Sequence, residues 1–542
     1  MLAAVGVVLR VSQYLVNSSL WLDEAALARN IIDRSVAQLF RPLDYAQVAP
    51  IGFLLVEKGV SLLFGTSEYA LRAFPLACGI ASIFLFWRLA ERVVSGWTVP
   101  FAVGLFAIAT PAVYFSSQVK QYSVDVLVSI ALLLASTEIR RRGITARRAS
   151  ALGVLGLVAV WFSQPAVFVL AGIGAGFALL AWLERDREAS RRVAITLTLW
   201  AVAAGVSAFV TWRMVPPSDR AFMRVFWAEG FMPMPPHRVA DLFWIVGKLT
   251  WAFGKFGTGM TRTTGGLNYR WSFVFTLTAL AGLWGLWKRR RDAALFLALP
   301  IAVVAVLSVA SVYPFTARLV AFLVPYLLLA VSAGAEFILS VWPARLQILQ
   351  PAAMAILGGA PLYAAVEALP PWRLQHVRPI FETIARQRQP GDAMYVHFSG
   401  GQAFYYYAPR FGLDRGVRVG ACAVGYPRNY LRELDRFRGR RLWIVISHAH
   451  YNGAELEVML QYLDTIGRRL ESLEHPATNG RWVEGAWGYL FDLTDPKRLA
   501  AASADSFPIA PGPLTDPPSE WACYGVFLPE RNIFRHAPSG GS

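Results

Sequence analysis

The chain has 542 residues, 56% of them hydrophobic and only 16% charged, with a mean hydropathy of +0.43. That balance excludes an ordinary soluble protein and fits a polytopic membrane protein. The net charge of +17 does not point to nucleic acid: it collects in short loops at 140–148, 185–192 and 288–291, and no basic motif interleaved with aromatics occurs.

Apolar runs of membrane length recur up to about Leu369 and then stop. The sequence therefore predicts a polytopic α-helical membrane domain over 1–370, an exported α/β domain over 371–503, and a Pro/Gly/Ser-rich, poorly ordered tail over 504–542. With the basic loops placed in the cytoplasm, about eleven spans result. They cover 2–17, 69–93, 98–115, 123–138, 149–162, 165–183, 193–214, 271–287, 293–312, 319–341 and 349–369. Two long segments, 21–68 and 215–269, fall outside. Within the first, 24–40 and 50–64 read as shallow amphipathic helices.

Arg10 falls within the first span. Either the native chain begins upstream and lifts Arg10 to the interface, or Arg10 faces the bundle interior. The first run lacks the basic flank and cleavage site of a signal peptide.

Trp21-Leu22-Asp23-Glu24-Ala25 follows that span directly. An acid at a membrane boundary can accept a proton, bind a cation or hold a hydroxyl. The plainer reading is an interfacial turn whose two acids open a helix and complement its dipole. Other polar residues gather on the same outer side: Asp44, Gln47, Glu57, Lys58, Glu68, Arg72, Lys120, Tyr122, Lys255, Arg262 and Arg318. Acids and bases at one interface suit an anionic, lipid-embedded substrate handled through a protonatable group. Lys120-Gln121-Tyr122 sits in a tight turn and Arg318 opens a span, a depth at which cations hold a lipid phosphate or serve as snorkelling anchors.

At these residues the chain resembles a known family. Trp21 to Ala25, then Gln47-Val48-Ala49-Pro50, then Gly65 to Arg72, resemble the first external loop of GT-C glycosyltransferases. The similarity is to the branch with protein O-mannosyltransferases and the lipid A aminoarabinose transferase. Tyr114 to Ser123 is similar to that branch's turn before the fourth span, and Tyr313 to Arg318 resembles a later loop in related bacterial proteins. The ordered set covers roughly the first 130 residues, the remainder matching in architecture.

The resemblance implies an inner-membrane transferase that moves a sugar from a polyprenyl-phosphate donor to an acceptor at the outer face, with inversion. It implies Asp23 as the acid that serves as catalytic base or orients the acceptor, and Glu24 orienting the acceptor or holding a metal. Lys120, Tyr122 and Arg318 would bind the donor phosphate, and Gln47, Glu68 and Arg72 would line an acceptor or loop site. No cofactor is expected for certain, though a divalent ion on carboxylates is open. His237, alone among prolines, reads as a loop residue.

The exported domain alternates helix (375–389, 431–437, 454–463) with strand (393–398, 442–447, 487–493), an α/β layer pattern. Tyr405-Tyr406-Tyr407 is either a packed edge or a sugar-stacking surface. His448 and His450 share a strand face but lack a third ligand, so they read as loop histidines. Cys422 and Cys523 can pair if the domain is exported, or remain thiols. Two rival functions stand beside the transferase. One is a transporter or flippase of lipid-linked sugars, which would need paired broken spans that are not evident. The other is a non-catalytic partner in envelope assembly.

Overall fold

The computed structural model describes residues 1–256, 265–367, 369, 372–448, 454–478, 485–509 and 523. Expectations for Arg262, His450 and most of the tail lie outside the described residues, as does the side chain of Lys255. The chain divides into two compact units: residues 1–16 with 49–371, and residues 17–48 with 372–542.

The first unit is helical. It contains α1 (Leu2–Leu15), which leads out to α2 (Leu22–Asp33) of the second unit. After the return come α3 (Ile51–Phe64), α4 (Glu68–Val93), α5 (Thr98–Ile108), α6 (Thr110–Phe115), α7 (Tyr122–Arg142), α8 (Ala146–Phe162), α9 (Ala166–Glu184) and α10 (Arg187–Met214). The second long polar segment carries α11 (Pro217–Phe226), α12 (Val239–Leu242) and α13 (Trp244–Phe256). Then follow α14 (Gly265–Arg289), α15 (Arg291–Val309), a 3-10 turn (Ala317–Leu323) running into α16 (Val324–Ser340), and α17 (Gln350–Glu367).

Among the described residues seven helices are long and apolar enough to cross a membrane, and Leu2–Leu15 and Thr98–Ile108 are shorter apolar helices. A polytopic helical membrane unit is the result. At 21 residues, α7 is about 30 Å long, the thickness of a bilayer core. Local chemistry sets the ends. Ser67 accepts the N–H of Ala70 and starts α4, while Gly143, at φ 84°, stops α7 after three arginines. Pro111 has no N–H to give the Ala107 carbonyl four residues back and its ring would clash there, and the chain breaks at Ala109 into α5 and α6.

Ion pairs mark one level of this unit. Arg92–Glu138, Arg142–Glu138, Arg140–Glu184 and Arg289–Glu336 tie together the ends of α4, α7, α9, α14 and α16. Pairs this exposed contribute only about 0–1 kcal/mol each. Their value is as a marker: every one lies at the end carrying the basic loops, opposite the starts of α4 and α7.

The second unit is an α/β layer. After α18 (Arg378–Gln387) come β1 (Ala393–Val396), α19 (Gly401–Phe411), β2 (Val417–Val419), α20 (Pro427–Asp435), β3 (Arg441–Ser447), α21 (Ala454–Ile466), β4 (Arg468–His475) and β5 (Ala486–Asp492). The sheet order is β2-β1-β3-β5-β4. β1 pairs parallel with β2 and β3, and β5 pairs antiparallel with β3 and β4. β3 and β5 are buried on both faces, as their unbroken apolar runs require. Cys422 and Cys523 form a disulfide, with Cα atoms 5.7 Å apart. α2 packs into this unit, so the Trp21–Ala25 stretch folds with residues more than 350 positions later.

Candidate functional site

In the membrane unit the turn between α6 and α7 is a buried polar strip. Ser116, Ser117, Gln118 and Lys120 are all buried, Lys120 with 5% exposure. The Lys120 N–H donates to the Gln118 carbonyl (2.7 Å), which tightens the turn and delivers Tyr122 to the start of α7. The Tyr122 ring packs on Phe115, with centroids 4.9 Å apart. Above it stands Arg318, its guanidinium carbon 6.0 Å from the Tyr122 centroid and 5.5 Å from that of Trp227. The structure thus brings Tyr122 and Arg318 together and sets Lys120 two residues from that pair.

Arg318 is held by the loop before it. The Phe315 N–H donates to the Gly230 carbonyl (2.7 Å), the Ser308 hydroxyl to the Tyr313 carbonyl (2.6 Å), and the Thr316 hydroxyl to Glu229 Oε1 (3.3 Å). Gly230 is required by this close approach, because a Cβ there would stand 2.6 Å from Pro314. The 227–230 segment is therefore docked onto the 313–318 loop.

Asp125 is a group that reasoning from sequence missed. It lies one turn along α7 from Tyr122, is 5% exposed, and accepts a hydrogen bond from Ser163 at the end of α8. Among the described residues it forms no ion pair, and its Oδ1 has no hydrogen-bond partner. Burial, and then the nearby Asp125 and Tyr122, push the Tyr313 phenol well above its ordinary value. The available signal was an acid standing alone within an apolar run, a residue type that marks function in membrane spans.

Glu68 and Arg72 open α4, both buried. Glu57 in α3 is fully buried, and neither carboxylate oxygen has a hydrogen-bond partner among the described residues. Burial raises its pKa well above the usual carboxylate range. Arg10 faces the interior, the second of the two expectations for it.

The second unit contains Asp23, Glu24 and Gln47. Glu24 is 1% exposed, and its Oε2 accepts the Trp21 N–H (3.4 Å), closing the first turn of α2. Asp23 is the more exposed of the two acids. The segment before α2 is clamped: the Ser19 N–H donates to His376 Nδ1 (3.0 Å), the Tyr407 hydroxyl accepts from the Leu20 N–H (2.9 Å), and Gln375 Oε1 accepts from the Leu22 N–H (2.8 Å). Arg29 donates to Gln402 Oε1 (2.9 Å) and lies between the rings of Tyr45 and Tyr405. The three adjacent tyrosines are thus a packed edge, with Tyr406 and Tyr407 buried. Gln47 Nε2 donates to the Tyr45 carbonyl (3.2 Å). His448 ends β3, its backbone N–H donating to Gly485 (3.2 Å). His237 is an exposed loop residue whose N–H donates to Asp241. Among the described residues no three His, Cys, Asp or Glu side chains cluster to hold a metal.

No protein-family model matches the sequence, and no curated protein matches it. Solved structures do resemble the chain. ArnT from Cupriavidus metallidurans, bound to undecaprenyl phosphate, matches with TM-score 0.48 and 11% identity over 90% of this chain and 97% of that one. The Archaeoglobus fulgidus oligosaccharyltransferase AglB, in complex with an inhibitory peptide and a dolichol-phosphate, matches with TM-score 0.48 and 11% identity over 89% of this chain and 74% of that one.

Proposed function

We propose that the protein is a membrane glycosyltransferase of the GT-C type, moving a sugar from a polyprenyl-phosphate donor to an acceptor at the outer face of the membrane. The observation that carries this reading is the stacking of Arg318 over Tyr122, with buried Lys120 in the adjoining turn, at the ends of the apolar helices opposite the basic loops. Two cations and a phenol at headgroup depth suit a phosphate that gains charge as its sugar departs.

In this reading Lys120, Tyr122 and Arg318 hold the donor phosphate. Asp23 supplies the base that takes the acceptor proton, while the acceptor oxygen displaces the phosphate at the sugar carbon with inversion. Glu24 acts by fixing the helix that presents Asp23, in keeping with its capping bond. Glu68, Arg72 and Gln47 remain assigned to the acceptor or loop side. An outward-facing second unit accords with the Cys422–Cys523 bond, since disulfides persist in oxidising compartments.

The test is sugar transfer by purified protein, Asp23→Asn against wild type, with a panel of labelled polyprenyl-phosphate sugars and membrane extract as acceptor. Transfer by wild type that vanishes in Asp23→Asn, with donor binding kept, is expected. Equal transfer by both would move the base elsewhere. Binding of donor without transfer by wild type would favour a transporter of lipid-linked sugars.

A further inference from the structure

A small cavity inside the membrane unit is walled by Arg10, Ser82, Phe106, Phe115, Tyr122 and Ser123, among others. Arg10 of α1 is 1% exposed. Its Nη1 donates to the carbonyls of Gly6 (3.0 Å) and Ala107 (3.2 Å), and its Nη2 to that of Phe106 (3.4 Å). Two of these carbonyls belong to the last turn of α5, left open where the chain breaks at Ala109. The side chain reaches them past Gly79, where a Cβ would stand 3.6 Å from Arg10 Cδ.

All three acceptors are neutral. No carboxylate pairs with Arg10 among the described residues, and its Nε has no hydrogen-bond partner. Ser123, 4% exposed and on the same cavity wall, also leaves its hydroxyl without a partner. A cation and a hydroxyl therefore line one buried space that supplies no negative charge. An uncompensated charge among membrane helices is costly and marks a ligand or ion path.

We propose that this cavity is an anion subsite that takes one phosphoryl oxygen of a lipid-linked phosphate, between Arg10 Nε and Ser123 Oγ. The space has room for about one water-sized group, so it admits a single oxygen and not a headgroup. A water molecule would satisfy the two donors and leave the charge uncompensated; a phosphoryl oxygen does both. Tyr122 forms part of the cavity wall and carries Arg318 over its ring, so one phosphate can engage both groups. The inference rests on the reading that a lipid phosphate sits at Tyr122, and adds an inner arm to that site.

The experiment is calorimetric titration of the full-length protein in phosphatidylcholine nanodiscs with farnesyl phosphate, farnesol and inorganic phosphate. Farnesyl phosphate should bind, Ser123→Ala should weaken it about fivefold, and Arg10→Gln should weaken it further. Farnesol should bind poorly to all three proteins. Arg10→Gln also uncaps α5, so Ser123→Ala, which leaves those bonds intact, decides the matter if the arginine variant fails to fold. Equal affinity of wild type and Ser123→Ala for farnesyl phosphate overturns the proposal, as does farnesol binding as tightly as its phosphate. Inorganic phosphate binding with the same dependence on Ser123 would make this a free-phosphate site and overturn the lipid-linked assignment. Wild type that binds farnesyl phosphate through Ser123 yet transfers no sugar would overturn the transferase reading and leave the subsite standing.

Discussion

The guanidinium of Arg318 lies 5.5 Å from the ring of Trp227, so a residue of the second long polar segment fixes a cation at the start of a membrane span. An aromatic face at this distance attracts the cation and limits its rotamers. Trp227→Ala is expected to raise the KM for a polyprenyl-phosphate donor about three- to tenfold. Trp227→Phe should recover much of that loss, since a ring face is what the cation needs. Steady-state transfer kinetics with varied donor check this; an alanine variant with unchanged KM would mean that Arg318 needs no such support.

The hydroxyl of Tyr407 accepts the N–H of Leu20, three residues before Asp23. Tyr407→Phe keeps the ring and strands a buried donor, at a cost of about 1–3 kcal/mol. Hydrogen exchange should show the amides of 18–23 opening more readily in the variant. Unchanged protection there would show that Gln375 and His376 suffice as a clamp.

Cys422 and Cys523 are 101 residues apart in sequence. Closing so long a loop restricts the unfolded chain strongly, and Cys523→Ser should destabilise the second unit by about 2–5 kcal/mol. Thermal unfolding with and without reductant gives the comparison. The wild type under reductant should melt with the variant, and the variant should be indifferent to reductant.

Glu455, in the first turn of α21, is buried, and that burial pushes its carboxyl up to about 7, against a smaller opposing effect of the Gly425 N–H that it accepts. The folded chain therefore keeps a proton that the unfolded chain has released between about pH 4.5 and 7. Below that window Glu455 costs nothing; through it the cost grows, and above it the cost is complete at about 3 kcal/mol. Stability should fall as pH rises. Glu455→Gln should be near neutral at pH 4 and stabilising at pH 8, measured by denaturant unfolding at both. Equal effects at the two pH values would place the carboxylate in contact with water.

The spans were legible because lipid enforces one pattern: long apolar runs whose basic flanks lie on one side, and α4, α7 and α9 follow it. β3 and β5 were legible as unbroken apolar runs. β4 was not. Arg468 to His475 is charged and alternates exposed with half-buried residues, as suits a sheet edge, and a search for apolar strands passes over it. α19 was hidden by Gly400, Gly401 and Pro409, which read as breakers until tertiary packing holds the turn. At the candidate site, Tyr122 and Arg318 could be picked from their depth in the chain, but not their stacking. Asp125 escaped because one acid in a long apolar helix barely alters its composition. Nor could any local pattern show that 17–48 folds with the C-terminal third, since that pairing rests on hydrogen bonds between residues more than 350 positions apart.

That pairing has a consequence for biosynthesis. Ser19, Leu20 and Leu22 leave the ribosome early, yet their partners Gln375, His376, Arg378 and Tyr407 are made only much later. At roughly 5–20 residues per second, the stretch bearing Asp23 waits on the order of 20–70 s, while the membrane helices are inserted one after another. A nascent chain stalled anywhere before about residue 375 would carry its acidic helix unclamped. Ordering of that helix is thus a late event, which makes synthesis of the C-terminal third the stage at which Asp23 acquires its surroundings.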